Sequence, residues 1–407
     1  MNCRHCQRSL EHVFLDLGYS PLSNAYVSAA DLNSPEIHYP LKLFVCANCW
    51  LVQTEDHAQA GEMFSSEYAY FSSVSRTWLE HASRFADGIT RRLGLGADSL
   101  VVELAANDGY LLRNFVDTGI PCLGIEPTAS TAAVAESLGI PIRREFFSEA
   151  LGVSLRKEGF CADLIVGNNV YAHVPDINDF TAGMAAVLKP SGTITLEFPH
   201  LMRLIESTQF DTVYHEHFSY LSLSTVSQIF ARVGLRVYDV EELPTHGGSL
   251  RVFGCHVTDL QATREQVSRI LDKEETAGLH RLETYLTFQK RANKVKDDLL
   301  TFLIDSKRAG LMVAAYGAAA KGNTLLNYAG VKTDLITFVC DAAPSKQGKF
   351  LPGSHIPILP PSSLRERRPD IILVLPWNIL SEVVDQENSV REWGGKFAVA
   401  VPFLKVW

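Results

Sequence analysis

The sequence predicts an α/β protein: a doubly wound parallel sheet flanked by a small cysteine-rich N-terminal module and a second α/β unit. Three observations predict it. Two Cys-x-x-Cys pairs, Cys3/Cys6 and Cys46/Cys49, fall within the first 50 residues. Strand-like and helical runs then alternate through "SLVVELAANDGYLLRNFVD", "IPCLGIEPTASTAAVAESLG" and "ADLIVGNNVYAHVPDINDFTAGMAAVL", with "GTITLEFPH" as a further strand. The alternation resumes in "LMVAAYGAAAKGNTLLNYAG", "LITFVCDAAPSKQGKFLPG" and "DIILVLPWNI". At 407 residues the chain exceeds one core, and 46% hydrophobic with 20% charged residues is an ordinary globular balance. A net charge of −9 argues against a dedicated nucleic-acid partner.

Residues 1–65 form the first module. Thiolates two residues apart can share a tetrahedral zinc, so Cys3, Cys6, Cys46 and Cys49 are expected to hold one structural ion. Four thiolates close the coordination sphere, which leaves no open position for catalysis, and disulfides are disfavoured in a reducing compartment. Cys122, Cys161, Cys255 and Cys340 stand alone in apolar runs and read as free thiols. Residues 66–262 carry the central Rossmann-like unit, entered through "FSSEYAYFSS" and a helical spacing at Trp78, Leu79, Ala82 and Phe85. The charged stretch 263–308 reads as a solvated helical linker, and residues 309–407 as the second Rossmann-like α/β domain. No apolar run approaches the roughly 18–20 residues needed to span a bilayer. "MNCRHCQRSL" lacks the apolar core of a signal peptide, so a cytoplasmic location is expected. Three modules can enclose a site unaided, which makes a monomer the expectation.

The first βα turn, "VVELAANDGYLL", ends its strand in Glu103, and Gly109 opens the following helix. Twenty-three residues after Glu103 the next strand ends in Glu126, placed to accept hydrogen bonds from ribose hydroxyls. NAD and S-adenosylmethionine both use this geometry. A dinucleotide turn needs GxGxxG so that backbone can approach a pyrophosphate; "AANDG" lacks those glycines and carries Asp108 where the anion would sit. S-adenosylmethionine, cationic and without phosphate, suits an acidic turn. The expected cofactor set is Glu103, Ala105, Asn107, Asp108, Gly109, Glu126, Pro127 and Asn169.

In order, the chain carries "EYAYFSS", "VELAANDGYLL", "NNVYAHVPD", "YHEHFSYLS", "HGGSLRV", "YGAAAKGNTLLNY" and "KQGKFLPGSHIPI". With the paired CxxC motifs, these make it resemble the sugar C-methyltransferases that act beside the carbonyl of nucleotide-linked 4-keto deoxysugars. The resemblance covers essentially the whole chain. It implies a zinc module, a central class I methyltransferase domain binding S-adenosylmethionine, and a C-terminal domain that helps hold the sugar nucleotide. Ala105 and Ala106 depart from the glycine or serine that relatives often carry there.

"FDTVYHEHFSY", residues 210–220, packs titratable groups that are costly to bury without purpose. Methylating carbon requires a carbanion equivalent, and a C–H beside a ketone yields to a side-chain base if the enolate is stabilised. The resemblance implies His217 as the base at C3, with Glu216 and Tyr214 orienting substrate and stabilising charge at the carbonyl. It also places His173 in the active site, at the keto oxygen or enolate, and a tyrosine, Tyr68 in preference to Tyr70, over the sugar. A regular strand would send Tyr214 and Glu216 to one face and the histidines to the other, so a shared pocket requires an irregular turn that leaves His215 outside. Adjacent His215, Glu216 and His217 lack the spacing of a metal-binding helix. Diphosphate donors are sought among Arg251, Lys321, Asn323, Lys346 and Lys349; Lys321 leads, in a small-residue turn opening a helix. Alternative readings are O- or N-methylation of a related sugar nucleotide, a zinc-ribbon RNA methyltransferase, and a non-catalytic sugar-nucleotide binder. The nucleotide, thymidine or guanosine diphosphate, is left open.

Overall fold

The computed structural model describes residues 1–57, 72–74 and 76–407. Three sheets organise the chain. The first begins with β1 (His12–Ser20), β2 (Tyr39–Val45) and β3 (Val52–Thr54), antiparallel throughout. The central sheet holds β4 (Val101–Leu104), β5 (Cys122–Ile125), β6 (Ile142–Arg143), β7 (Ala162–Asn168) and β8 (Leu188–Pro199). Next comes β9 (Ser219–Tyr220), which joins the first sheet by pairing with β3. β10 (Leu235–Leu243) and β11 (Ser249–His256) complete the central sheet in the order β10-β11-β8-β7-β4-β5-β6.

β4 to β8 run parallel and are covered on both faces, which is why "VVEL" and "ADLIVGN" read as almost unbroken apolar runs. The connection order reverses between β4 and β7, and a ligand crevice is expected over the strand ends at such a switch point. The third sheet comprises β12 (Val313–Tyr316), β13 (Val339–Cys340), β14 (Ile358–Leu359), β15 (Ile371–Val374), β16 (Lys396–Val399) and β17 (Lys405–Val406). Its order is β14-β13-β12-β15-β16-β17, parallel except at β17.

The charged stretch before β12 differs from a solvated linker. It divides into helices Glu265–Thr276, Leu282–Leu286 and Phe288–Arg308, and the last buries Phe288, Ala292, Val295, Leu299 and Leu303. Those residues recur every three to four positions, so one stripe faces inward while the charges face water. Phe288 stacks on Phe14 of β1 at 4.7 Å, and one core runs from the first sheet through this helix into the third. Among the described residues no helix is long and apolar enough to cross a membrane.

Candidate active site

At the end of β4 the chain makes a tight left-handed turn through Ala105 (φ 57°), Asn107 (φ 50°) and Gly109 (φ 78°). A Cβ on Gly109 would lie 2.4 Å from Ile140 Cδ1. The helix opens only at Arg113, not at Gly109 as expected, because the left-handed Gly109 still belongs to the turn. Glu126, at the end of β5, accepts from Asn107 N at 2.9 Å and Thr128 N at 2.8 Å, with Pro127 between them. Asn107 Oδ1 accepts from Ser72 N and Asp108 Oδ2 from Ser73 N, both at 3.0 Å. Burial, then the charges of Asp108 and Glu126, push the Glu103 carboxyl well above the usual range. Glu103 Oε2 and Asp108 Oδ1 are buried with no hydrogen-bond partner among the described residues. Three converging acids with two unanswered oxygens suit a ligand carrying ammonium and sulfonium charge, and oppose a pyrophosphate. S-adenosylmethionine fits this turn. Removing the Glu126 carboxylate (Glu126→Ala) is expected to weaken cofactor binding by about 10- to 100-fold, as read by calorimetry, from lost charged hydrogen bonds.

The segment between β8 and β9 carries the titratable cluster. After a short turn at Phe210–Thr212 the chain bends so that His217 N donates to Tyr214 O at 3.0 Å. Phe218 N donates to Ala172 O at 2.8 Å, which draws the bend onto the turn after β7. The His217 ring centroid then lies 4.1 Å from Tyr214, 4.6 Å from His173 and 5.8 Å from Tyr220. Glu216 Oε1 accepts from Asn24 Nδ2 at 2.6 Å. His215 faces elsewhere, donating from Nε2 to Pro40 O at 3.2 Å and lying 5.9 Å from Tyr39. Tyr68 and Tyr70 lie outside the described residues.

Burial lowers His173 to about 4, against a raising influence from the Glu216 backbone. Burial, then neighbouring His173, holds His217 well below 6.5. Both rings are therefore neutral at pH 7, and His217 is ready to accept a proton. If it is the base, kcat/KM stays flat through pH 7 and its acid limb falls below about 6.5. Lys321 contributes to that lowering, so Lys321→Met is expected to move the limb upward. Stability follows the same sign: below about 6.5 the unfolded chain takes up protons that lowered His173, His215, His217 and His246 refuse. The fold weakens as pH drops from there toward 4, while Asp211, raised to about 6 by burial, acts oppositely over its own range.

The third sheet supplies the opposing wall. Lys321 Nζ donates to Asn378 Oδ1 at 2.7 Å and sits 4.7 Å from the Trp377 ring. Trp377 Nε1 donates to Asp211 Oδ2 at 2.7 Å. Burial lowers Lys321, and Asp211 opposes that shift. Asn323 is fully buried and donates to Ser23 O at 2.6 Å, while Thr324 donates to Val213 O at 2.7 Å, tying this helix to the first module and the bend. Lys346 donates to Ala318 O at 2.9 Å, and Lys349 is half-buried on the same turn.

Arg251 departs from the sequence expectation. The β8–β11 register sets it opposite Glu197, and its guanidinium pairs with Glu197 Oε2 at 2.9 Å and Glu241 Oε2 at 3.1 Å. Already engaged by two carboxylates, it is a poor diphosphate donor. Burial would raise Glu197, yet bonds from His81 and Thr245 and the Arg251 charge outweigh it and hold the carboxylate below its ordinary range. Sequence reasoning missed this buried cluster, and also Asp211, Trp377 and Asn24, because their partners lie far away in sequence.

The four cysteine sulfurs lie within 4.8 Å of one another, with Cys3–Cys49 and Cys6–Cys46 at 3.5 Å. A tetrahedral zinc with bonds near 2.3 Å sets sulfurs about 3.8 Å apart, so the cluster fits that ion. The knuckle is coupled to the candidate site. β3 begins three residues after Cys49 and pairs with β9, and Thr54 Oγ1 donates to His217 O at 3.3 Å.

Three family models match successive parts of the chain. Residues 3–64 match a family model described as "Putative zinc binding domain", residues 78–240 "Methyltransferase domain" and residues 244–402 "C-methyltransferase C-terminal domain". The chain is 34% identical to the C-methyltransferase NovU of Streptomyces niveus over 405 residues, covering 99% of this chain and 96% of that protein. A ubiquinone biosynthesis O-methyltransferase of Bradyrhizobium is 25% identical over 158 residues, 32% of this chain and 60% of that one. An S-adenosylmethionine-dependent methyltransferase structure from Clostridium acetobutylicum aligns at TM-score 0.36 and 10% identity, covering 44% of this chain and 92% of that one.

Proposed function

We propose a substrate and a mechanism on one premise: this chain belongs to the family of S-adenosylmethionine-dependent C-methyltransferases. The acceptor is C3 of a nucleotide-linked 4-keto-6-deoxysugar, and the product is a branched-chain deoxysugar. The observation that carries this reading is the neutral His217 ring packed among Tyr214, His173 and Tyr220. Carbon lacks a lone pair, so its methylation needs a base, whereas many hydroxyl acceptors need only modest help.

His217 takes the C3 proton, and the electron pair of the broken C–H bond moves into the enolate with charge on the carbonyl oxygen. Tyr214 and His173 stabilise that oxygen, and Glu216, held by Asn24, orients the sugar. S-adenosylmethionine, held at the turn of Glu103, Asn107, Asp108 and Glu126, would supply an electrophilic methyl to the enolate carbon, with neutral S-adenosylhomocysteine as the leaving group. Lys321, half-buried beside Trp377, answers the diphosphate, with Lys349 as a second donor. The protein divides into a zinc module (1–65), a methyltransferase domain (66–262), a helical connection (263–308) and a sugar-nucleotide domain (309–407), and it works as a cytoplasmic monomer.

The test is to incubate the zinc-loaded protein with labelled methyl donor and a panel of 4-keto nucleotide sugars, then locate the label by mass and NMR. Label on ring carbon beside the carbonyl supports the reading. Label on oxygen or nitrogen replaces it with the alternative chemistry.

A further inference from the structure

The turn between β10 and β11, "THGGS", has no role in the mechanism above, yet its backbone is strained. His246 adopts φ 54° and ψ 22°, a left-handed conformation that a Cβ disfavours, and Gly247 and Gly248 follow at φ 87° and 118°. Several contacts enforce it. Thr245 Oγ1 donates to Glu197 Oε1 at 3.0 Å, Gln209 Nε2 donates to Gly247 O at 2.8 Å, and Ser249 Oγ donates to Thr245 O at 2.9 Å. Trp377 lies so close that a Cβ on Gly247 would meet its ring at 2.3 Å. Strain imposed this firmly points to function.

The imidazole occupies the space between the two halves of the candidate site. Asn169, itself left-handed at φ 54°, donates Nδ2 to His246 Nε2 at 3.4 Å, and Trp78 lies 5.6 Å away. His217 and Lys321 are near enough to interact electrostatically with the ring. The Asn169 bond makes Nε2 the acceptor and leaves the ring proton on Nδ1. Burial and the Lys321 charge hold the ring at about 4, so it is neutral at pH 7.

We propose that His246 is a further substrate-binding residue, donating a hydrogen bond to an oxygen of the sugar between the methyl donor and the base. This rests on the keto-sugar reading above. It explains why the strained residue is a histidine in a turn where glycine would fit without cost.

Two variants of the full zinc-loaded chain test it. His246→Gly relieves the strain, and His246→Asn keeps a hydrogen-bonding group that tolerates this backbone. The expected result for His246→Gly is an unfolding midpoint at or above the parent's, unchanged cofactor affinity, and a KM for the keto sugar raised at least about tenfold. His246→Asn should recover part of that loss. Parent-like KM and kcat in both variants would overturn the inference while leaving the function standing. So would a loss of turnover that merely follows a lower midpoint or weaker cofactor binding. Failure of the parent enzyme to turn over any keto sugar would overturn both.

Discussion

His217→Asn is expected to lower methyl transfer by about 10²- to 10⁴-fold, the usual worth of a positioned general base. Cofactor affinity should not change, because the S-adenosylmethionine turn is built from β4 and β5 while His217 sits on the bend before β9. Asparagine keeps a polar group of similar reach, so the bend from Tyr214 to Phe218 and its bond to Ala172 should persist. His215→Asn is the internal control. That ring faces Pro40 and Tyr39, and its loss should affect stability more than rate. A rate loss at His215 equal to that at His217 would mean the segment matters only as structure.

Removing the zinc is expected to have the second large effect. Cys49 lies three residues before β3, and β3 carries the pairing that holds β9, the strand just after His217. The knuckle also accepts, through Cys49 O, a bond from Thr225 Oγ1 at 3.3 Å. Without the ion, four mostly buried sulfurs lose their common partner and the β3–β9 edge is released. Chelation, or Cys49→Ser, should lower the unfolding midpoint by about 5–10 °C, the shift a few kcal/mol produces in a domain of this size. Methyl transfer should fall with metal content and return when zinc is restored. Cys161→Ser, outside the cluster, should change neither. Full activity in metal-free protein would show that the knuckle does not position the bend.

Much of the fold was legible in the sequence for identifiable reasons. The central strands are buried on both faces, so "VVEL" and "LIVGN" announce themselves without regard to partners. The zinc ligands were legible because thiol spacing is local chemistry, and the acidic turn because Glu103, Asp108 and Glu126 fall at fixed offsets in a βα unit. What escaped depends on distant pairing. Nothing in "FSY" shows that Ser219 and Tyr220 close a sheet begun more than 160 residues earlier by pairing with Val52 and Gln53. Arg251 reads as a free cation until antiparallel register sets it against Glu197. The 263–308 stretch reads as solvated because its charges outnumber a narrow apolar stripe, which the first and third sheets cover. The strain at His246 is equally silent, since "HGG" states flexibility and not its direction.

The most direct measurement is deuterium uptake from D₂O into a 4-keto nucleotide sugar by the enzyme without methyl donor, followed by NMR. The account predicts one deuterium at the carbon beside the carbonyl with the parent protein and none above background with His217→Asn. Exchange that proceeds equally in both proteins, or methylation by a parent protein that never exchanges this hydrogen, would contradict it.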